Sequence, residues 1–417
     1  MTMTSPPKAV STAAEQATEA PRHRLALPLG PTANAAAPRV LIISGSVGAG
    51  HDGAARELAR RLTARGAHVD QRDWLAAVPR AGQHLLREGY TTSVGYVPAF
   101  FEWLFQGIDH TRWVRSTAIA ACRLGAAAVR EWAVGGYDAI VSTYPLASQT
   151  LGQLKQSGRL NTPVATYLTD PAVHRLWVHR QVDRHLTVTQ ATAAQGEERY
   201  GVPMRAVGAL VPPQFGRSVS PAWRASVRAG LGLDPARPIA LVMAGSLGLG
   251  AVPGAVRAIQ STGVCDTLVL CGRNSRLRAS LAGRPGVTAL GWRDDVADLM
   301  AASDVLVHNA GGLSLTEALV AGLPAVTYQP LPGHGRANAA VLEDCGLAAW
   351  PRTDQELGVA LQRAIDRGPT DRRHVQFEVD AADAISHMIN FRRRRLVGRE
   401  VLTEGADVAA QRAREIG

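Results

Sequence analysis

The chain has 417 residues, of which 46% are hydrophobic and 19% charged; this composition is that of a folded globular protein and excludes a largely disordered or collagen-like one. No run approaches the roughly 18 consecutive apolar residues of a membrane-spanning helix, and four cysteines are too few for a disulfide framework or a paired Cys-x-x-Cys metal site. The net charge of +10 favours an anionic partner such as nucleic acid, an acidic membrane surface or a phosphorylated substrate, although coding bias explains it equally well because nearly all the basic residues are arginine.

The first 38 residues are rich in Ala, Pro, Ser and Thr and show no sustained periodicity, which predicts a disordered leader at 1–38. The apolar stretch 25–30 within it is too short and too interrupted by proline to be a convincing signal peptide. We therefore expect a cytoplasmic protein.

From residue 39 onward, short apolar runs alternate with segments of helical periodicity, a pattern typical of parallel sheets covered by helices. The predicted strands lie at 39–45, 69–74, 139–143, 164–168, 185–189 and 205–208 and, after a Pro/Gly linker at 211–216, at 239–243, 267–271, 287–290, 305–308 and 325–328. The repeated alternation predicts an α/β protein with two Rossmann-like parallel-sheet domains facing a cleft, at 39–215 and 216–370, followed by a C-terminal helix and basic tail at 371–417. Because ligands bind such sheets at the carboxyl ends of the strands, the loops at those ends are the candidate site.

The first predicted strand is followed by the glycine-rich segment 45–51, which opens a helical pattern. Backbone N–H groups at such a turn can bind an anion; a tight turn without a ligand is the alternative. The segment is not a P-loop, because no Lys-Ser/Thr follows Gly50, and its Gly-x-x-Gly-x-Gly spacing is not the dinucleotide fingerprint. His51, at the start of the helix, can face the cleft with a side chain that titrates near neutral pH.

The segment 309–324 carries the more specific signal. It follows a predicted strand, and Gly311 and Gly312 let the backbone turn and approach a ligand closely. A helix begins one or two residues later, and its free N–H groups can hold a diphosphate. Glu317 lies about 7 Å further along the helix axis, where its carboxylate can accept hydrogen bonds from both hydroxyls of a ribose. The alternative is an ordinary strand-to-helix turn in which Glu317 is only a charge near the helix start.

Aromatic residues are concentrated at 96–105, where five occur in ten positions of a chain that is only 5% aromatic. The segment is either a core helix or a surface that contacts a lipid acceptor or a membrane, because arginines follow it and aromatic side chains beside arginine suit an anionic bilayer interface. The candidate contact residues are Tyr96, Phe100, Phe101, Trp103 and Trp113. A second basic cluster, at 391–396, is either a further membrane contact or a solvated tail.

Together these motifs resemble the monogalactosyldiacylglycerol synthase and processive diacylglycerol glycosyltransferase family (glycosyltransferase family 28), which is related to the peptidoglycan lipid-intermediate GlcNAc transferase. The resemblance covers residues 39–370. The motifs that carry it are 48–51, 96–98, Thr169–Asp170 with His174 and Trp177, Gly245–Ser246, 291–296, Asp304, 311–317, 321–324 and 332–338.

The resemblance implies the GT-B fold and an inverting reaction with a UDP-sugar as donor substrate, without a permanently bound cofactor or a metal. The donor-binding positions that it implies lie in the second domain. They are Gly245 and Ser246 for the diphosphate, the backbone at Arg293 for the uracil ring, Gly311, Gly312, Leu313 and Ser314 for phosphate at the helix start, Glu317 for the ribose, and His334 and Asn338 for the sugar. The family has a Gln-acid or Gln-Gln pair where this chain has His334–Gly335, so the identity of the sugar stays open.

The first domain would bind the acceptor, with Gly48 and Gly50 beside the aromatic residues. An inverting displacement needs a base for the proton of the acceptor hydroxyl, and we expect this base to be His51, with Asp170 as the alternative base or as its orienting partner. His51 could instead only shape the acceptor pocket. The family often has histidine at the position of Tyr144, so this chain departs from it there as well.

From these residues we expect a hexosyltransferase that moves a hexose or N-acetylhexosamine from a UDP-sugar to a hydroxyl of a diacylglycerol-like lipid, peripherally bound to the inner face of the plasma membrane. Transfer to a soluble natural product and a nucleotide-sugar epimerase of the same fold are the alternatives. A non-enzymatic role in binding nucleotide sugars or nucleic acid is a third, but the basic residues are scattered and no nucleic-acid motif is present, so we expect no nucleic-acid partner.

Overall fold

The computed structural model describes residues 36–84, 86, 89 and 98–394. Residues 1–35 of the expected leader, the aromatic residue Tyr96, the side chain of Phe101 and the tail beyond residue 394 lie outside this description. Among the described residues, no helix combines the length and the apolar character needed to cross a membrane.

The first half of the chain forms a six-stranded parallel sheet with the strand order β2-β1-β3-β4-β5-β6. Its strands are β1 (Arg39–Ser44), β2 (His68–Asp73), β3 (Ala139–Ser142), β4 (Val164–Tyr167), β5 (Arg184–Thr187) and β6 (Met204–Ala206). Val40 in the central strand β1 pairs with Val69 on one side and Ala139 on the other. Side chains 40–43 are fully buried, as expected for a parallel strand covered by helices on both faces.

Helices connect these strands and begin and end at local signals in the sequence. The α-helices of this half with both ends among the described residues are α1 (Ala49–Ala64), α2 (Pro98–His110), α3 (Arg112–Ala121), α4 (Ala126–Ala133), α5 (Pro145–Gln156) and α6 (Gln190–Tyr200). Helix α5 begins with a proline at its first position, where no N–H is needed. Helix α6 begins where the Thr189 hydroxyl accepts a hydrogen bond from the N–H of Thr192, and it ends at Gly201 with φ 63°.

The second half repeats the architecture with a parallel sheet of order β12-β11-β10-β7-β8-β9. Its strands are β7 (Ile239–Met243), β8 (Asp266–Leu270), β9 (Val287–Leu290), β10 (Val305–His308), β11 (Ala325–Thr327) and β12 (Ala348–Ala349). Its helices are α7 (Pro221–Gly230), α8 (Val252–Thr262), α9 (Ser275–Leu281), α10 (Val296–Ala302), α11 (Gly312–Ala321), α12 (His334–Asp344) and α13 (Asp354–Arg367). The predicted pair of Rossmann-like parallel sheets is confirmed; the two-residue strand β12 was not predicted.

After α13 the chain returns to the first half. The carbonyl of Val375 accepts a hydrogen bond from the N–H of Ala209, and residues 381–394 form a further helix, α14. Arg65, which follows the last residue of α1, pairs with Asp383 at 2.8 Å, and Arg393 near the end of α14 pairs with Asp138 at 2.9 Å. The C-terminal helix therefore packs on the first domain.

Candidate active site

A cavity of about 620 Å³ lies between the two sheets, and loops at the carboxyl ends of strands from both halves line it. This is where the doubled parallel-sheet pattern predicts a ligand. The lining includes these residues singled out in the sequence: Gly48, Gly50, His51, Asp170, Gly245, Ser246, Arg293, Gly311, Gly312, Leu313, Ser314, Glu317 and His334. Within the described ranges, no group of three or more His, Cys, Asp or Glu side chains is arranged to hold a metal ion.

Helix α11 opens onto this cavity. The turn before it passes through Ala310, whose φ of 70° is rarely adopted by a non-glycine residue, and no side chain caps the helix at Gly311. Gly312 lies against the first domain so closely that a Cβ there would overlap the carbonyl oxygen of Thr169. Glycine is therefore required by this approach of the two domains, and the uncapped N–H groups of the helix start can take an anion.

Glu317 lies about one and a half turns into the same helix and lines the cavity. No hydrogen bond or ion pair from the described residues reaches its carboxylate. Burial alone raises the pKa of this carboxyl from 4.5 to about 8. In the ligand-free protein this carboxyl is therefore mostly protonated at pH 7. It has no partner among the described residues and lines the cavity, so hydroxyl groups of a ligand can donate hydrogen bonds to it, and such bonds favour the ionised form.

The imidazole of His51, in the first turn of α1, is held at the first-domain side of the cavity. Its Nδ1 lies 2.8 Å from the carbonyl oxygen of Thr143 and 3.1 Å from the hydroxyl of Thr169. Because a carbonyl can only accept, Nδ1 carries the proton and Nε2 keeps its lone pair. The rings of Tyr144 and Trp177 pack at 5.1 and 5.8 Å and fix the orientation of the imidazole.

Asp170 lies among three histidines at the junction of the two halves. Burial raises its pKa, but the combined effect of His334, His174 and His51, together with a 2.9 Å hydrogen bond from the Trp177 indole, outweighs burial and leaves the pKa below its ordinary value. Burial lowers the pKa of His51, against the opposing effect of Asp170, and lowers that of His174 to about 4. Asp170 is therefore ionised and His51 neutral at pH 7, the state in which a histidine can take a proton.

Asn338 is placed differently from the expected contact with the donor sugar. It is buried and does not line the cavity; its Oδ1 accepts a 2.9 Å hydrogen bond from the N–H of Ala172, and its Nδ2 donates to the carbonyl of Ala310 at 3.1 Å. Its Nδ2 also lies 3.5 Å from Asp170. The amide therefore ties the loop after β4 to the turn before α11, because Oδ1 bonds to the first domain and Nδ2 bonds to that turn in the second.

Gly245, Ser246 and Arg293, the remaining positions expected to bind the donor, line the cavity from the second domain. Gly245 turns the chain after β7 with φ 69°, and Ser246 follows it at the cavity. Arg293 also lines the cavity, and its guanidinium pairs with Asp295, with Nε 2.7 Å from a carboxylate oxygen. A nucleotide in the cavity would therefore lie beside the loops that carry these residues.

The described part of the expected aromatic segment, from residue 98 onward, forms a wall of the cleft and not a core helix. Leu104, Phe105 and Ile108 on one face of α2 line the cavity. Trp103 on another face of α2 and Trp113 on α3 are 51% and 63% exposed, with ring centroids 6.0 Å apart; Phe100, also exposed, stacks on Trp103 at 5.9 Å. The core alternative is therefore wrong for these three aromatic residues.

Two contacts of the site were not expected from the sequence. The carbonyl of Thr143 and the hydroxyl of Thr169 set the tautomer of His51, although neither residue was singled out for that role. The signal that could have found them is their place after the strands: Thr143 follows β3, the neighbour of β1, and Thr169 follows β4, the next strand of the sheet.

Comparison with known proteins supports the resemblance found in the motifs. The family model Monogalactosyldiacylglycerol (MGDG) synthase matches residues 51–209, and the family model Glycosyl transferases group 1 matches residues 247–367. The Processive diacylglycerol beta-glucosyltransferase of Bacillus mycoides (strain KBAB4) is 27% identical over 229 residues, which are 53% of this chain and 58% of that protein. The chain thus spans less than two thirds of the length of this curated relative.

Solved structures show the same fold. The structure of MurG from Acinetobacter baumannii superposes with a TM-score of 0.51 at 18% identity, over 85% of this chain and 99% of that one. The structure of Arabidopsis thaliana UGT89C1 complexed with UDP gives a TM-score of 0.52 at 14% identity, over 85% of this chain and 99% of that one. The chain therefore has the GT-B fold, and it resembles monogalactosyldiacylglycerol synthases in its first half and group 1 glycosyltransferases in its second.

Proposed function

We propose that this protein is an inverting glycosyltransferase that moves a hexose or N-acetylhexosamine from a UDP-sugar to a hydroxyl of a lipid acceptor of the diacylglycerol type. The observation that carries the proposal is the pairing, in one helix, of an uncapped N-terminus with the unpartnered carboxylate of Glu317. The spacing matches a nucleoside diphosphate, with phosphates at the helix start and the ribose about 7 Å further on. The donor is a substrate, and the reaction needs no permanently bound cofactor.

The chemistry of sugar transfer follows from His51 on the first-domain side of the cavity. Nε2 of His51 removes the proton from the acceptor hydroxyl while the oxygen attacks the anomeric carbon from the side opposite to UDP. The new carbon–oxygen bond forms as the bond to the diphosphate breaks, so the configuration inverts. The proton remains on His51, where the charge of Asp170 stabilises the imidazolium, and the negative charge of the leaving diphosphate is stabilised by the N–H groups at the start of α11.

The acceptor side favours a lipid. The cavity wall formed by Leu104, Phe105 and Ile108 is apolar, and the exposed rings of Trp103 and Trp113 lie on the outside of the same helical hairpin. An apolar wall with aromatic side chains beside it suits an acyl chain that remains partly in a bilayer. The name of the Bacillus relative, a diacylglycerol glucosyltransferase, supports the same class of acceptor. We place the protein on the inner face of the plasma membrane, held by this surface.

Two measurements test the proposal. Titration calorimetry with UDP should show binding to the wild type, loss of most of the affinity in Glu317→Ala, and unchanged binding in the control Glu343→Ala, which removes an exposed carboxylate of the same domain. Equal UDP affinity in Glu317→Ala and wild type would remove the assignment of the site.

Incubation with UDP-sugars separates the alternatives. With diacylglycerol in vesicles, the transferase releases UDP and forms a glycolipid, whereas an epimerase converts the UDP-sugar without any acceptor. Turnover with soluble hydroxyl compounds but not with diacylglycerol would favour a natural-product acceptor.

A further inference from the structure

Helix α2, in the first domain, contacts the second domain through Glu102. The carboxylate Oε2 of Glu102 accepts a 2.6 Å hydrogen bond from the backbone N–H of Gly333, and the Nε of Arg336 lies 3.7 Å from the same oxygen. The other oxygen, Oε1, accepts a 2.7 Å hydrogen bond from the side chain of Gln106 one turn later. Both oxygens of this carboxylate are therefore engaged, and one of them joins the two domains across the cleft.

The other end of α2 is anchored on its own domain. Asp109, seven residues after Glu102 and so on the same face of the helix, accepts hydrogen bonds of 3.1 Å from the N–H of Arg175, the guanidinium of Arg199 and the hydroxyl of Tyr200. Because this end is fixed by three contacts, the position of Glu102 relative to the second domain is set by the helix itself.

Glu102 contacts Gly333, which lies in the turn that places His334 at the cavity. Gly333 is the N-cap of α12 with φ 67° and ψ −110°, and the next residue, His334, lines the cavity. Its ring centroid lies 6.3 Å from that of Phe105 on α2. Gly335 is packed so closely that a Cβ there would lie 3.0 Å from Leu331. Packing at Gly335 therefore leaves the turn little space to move. The hydrogen bond to Glu102 holds Gly333, the glycine of the turn with a positive φ.

We propose that Glu102 is a positioning residue for the donor sugar: it holds the 333–334 turn in the conformation in which its backbone and His334 contact the sugar of the nucleotide donor. This rests on the proposed function. Glu102 does not line the cavity, so it acts through the turn and not by touching the ligand. His334 is the residue of this turn that lines the cavity, so the backbone conformation at Gly333 decides where its imidazole lies against the sugar.

The test compares the affinities for UDP and for a UDP-sugar. The probes are UDP, UDP-glucose, UDP-galactose and UDP-GlcNAc, and the sugar nucleotide that the wild type binds most tightly is used for the variants. Glu102→Ala should weaken binding of this UDP-sugar about tenfold, as expected for the loss of one hydrogen bond to a charged group, and should leave UDP binding within about twofold. Glu102→Gln keeps an oxygen acceptor for Gly333 and should restore most of the affinity. The control Glu131→Ala, an exposed carboxylate of the same domain, should change neither value.

Two further readouts distinguish positioning from general destabilisation. In turnover, Glu102→Ala should raise the KM for the UDP-sugar more than it lowers kcat. Hydrogen exchange of the amides at 333–338 should be faster in Glu102→Ala than in the wild type and the control.

Equal losses of UDP and UDP-sugar affinity would overturn the proposal, as would unchanged sugar affinity with unchanged exchange. A wild type that does not bind UDP overturns the proposed function and this proposal with it. Normal UDP binding with no effect of Glu102→Ala on the sugar nucleotide overturns this proposal alone.

Discussion

Replacing Glu317 with glutamine should make the ligand-free protein more stable at alkaline pH. In the folded protein burial raises the pKa of this carboxyl to about 8, against 4.5 for an unperturbed glutamate. A raised pKa stabilises the fold fully at pH values below 4.5, and this contribution is lost as the pH rises through 8, where the buried group must ionise without a partner. Glutamine at this position is neutral at every pH and avoids that cost.

The size of the effect follows from the pKa difference. At about 1.36 kcal/mol per unit, the difference corresponds to at most about 5 kcal/mol at pH 9. Water in the cavity can contact the carboxylate and reduces this value, so we expect about 1–3 kcal/mol. Urea unfolding of wild type and Glu317→Gln at pH 4, 7 and 9 measures it: the midpoints should lie closest together at pH 4, below the ordinary pKa of a glutamate, and diverge in favour of Glu317→Gln as the pH rises to 9.

The control is Glu343→Gln. The Glu343 carboxylate is 41% exposed and pairs with Arg352, so the substitution should change the free energy of unfolding by no more than about 0.5 kcal/mol at any pH. A Glu317→Gln variant that is no more stable than wild type at pH 9 would refute the reasoning, because the carboxylate would then be solvated or paired. The same variant should bind UDP less tightly than wild type, since an amide has only one acceptor oxygen.

Three more predictions test other parts of the site. His51→Ala should lower kcat by about 10²–10⁴-fold, as expected for loss of a general base, with UDP affinity in calorimetry unchanged; undiminished turnover would leave His51 as a residue that only shapes the pocket. Gly312→Ala should place a methyl group against the carbonyl of Thr169, destabilise the protein by about 1–3 kcal/mol in urea unfolding and weaken UDP binding, whereas wild-type behaviour would show that the domains do not approach in this way. The double variant Trp103→Ser with Trp113→Ser should lose sedimentation with vesicles containing anionic lipid and keep UDP affinity; unchanged sedimentation would show that membrane attachment lies elsewhere.

The strands were the most predictable part of the fold. The strands β7, β9 and β10 begin and end at the predicted residues, because each is a short apolar run between turn residues and is buried in a parallel sheet. Strand β12, Ala348–Ala349, was missed because two alanines carry no strand signal and pair only through their position beside β11. Its existence is decided by tertiary contacts.

The site likewise has residues that the local sequence predicts and residues that depend on contacts distant in the chain. The helix that starts at Gly312 was predicted one or two residues late, and Glu317 was expected within it, because both depend on residues of one turn-and-helix segment. The bridging role of Asn338 was not, since its partner Ala172 lies 166 positions away in the chain. The contact of Glu102 with Gly333, 231 positions apart, has the same character. The sequence could not decide whether α2 is a core helix or lines the cleft, because a helix buries one apolar face in either position.

A crystal structure of the protein with UDP tests the central claim most directly. The account predicts diphosphate oxygens within hydrogen-bond distance, about 2.7–3.2 Å, of the first N–H groups of α11, and both ribose hydroxyls within the same distance of the Glu317 carboxylate. UDP bound elsewhere in the cleft, or bound here with Glu317 turned away from the ribose, would contradict it.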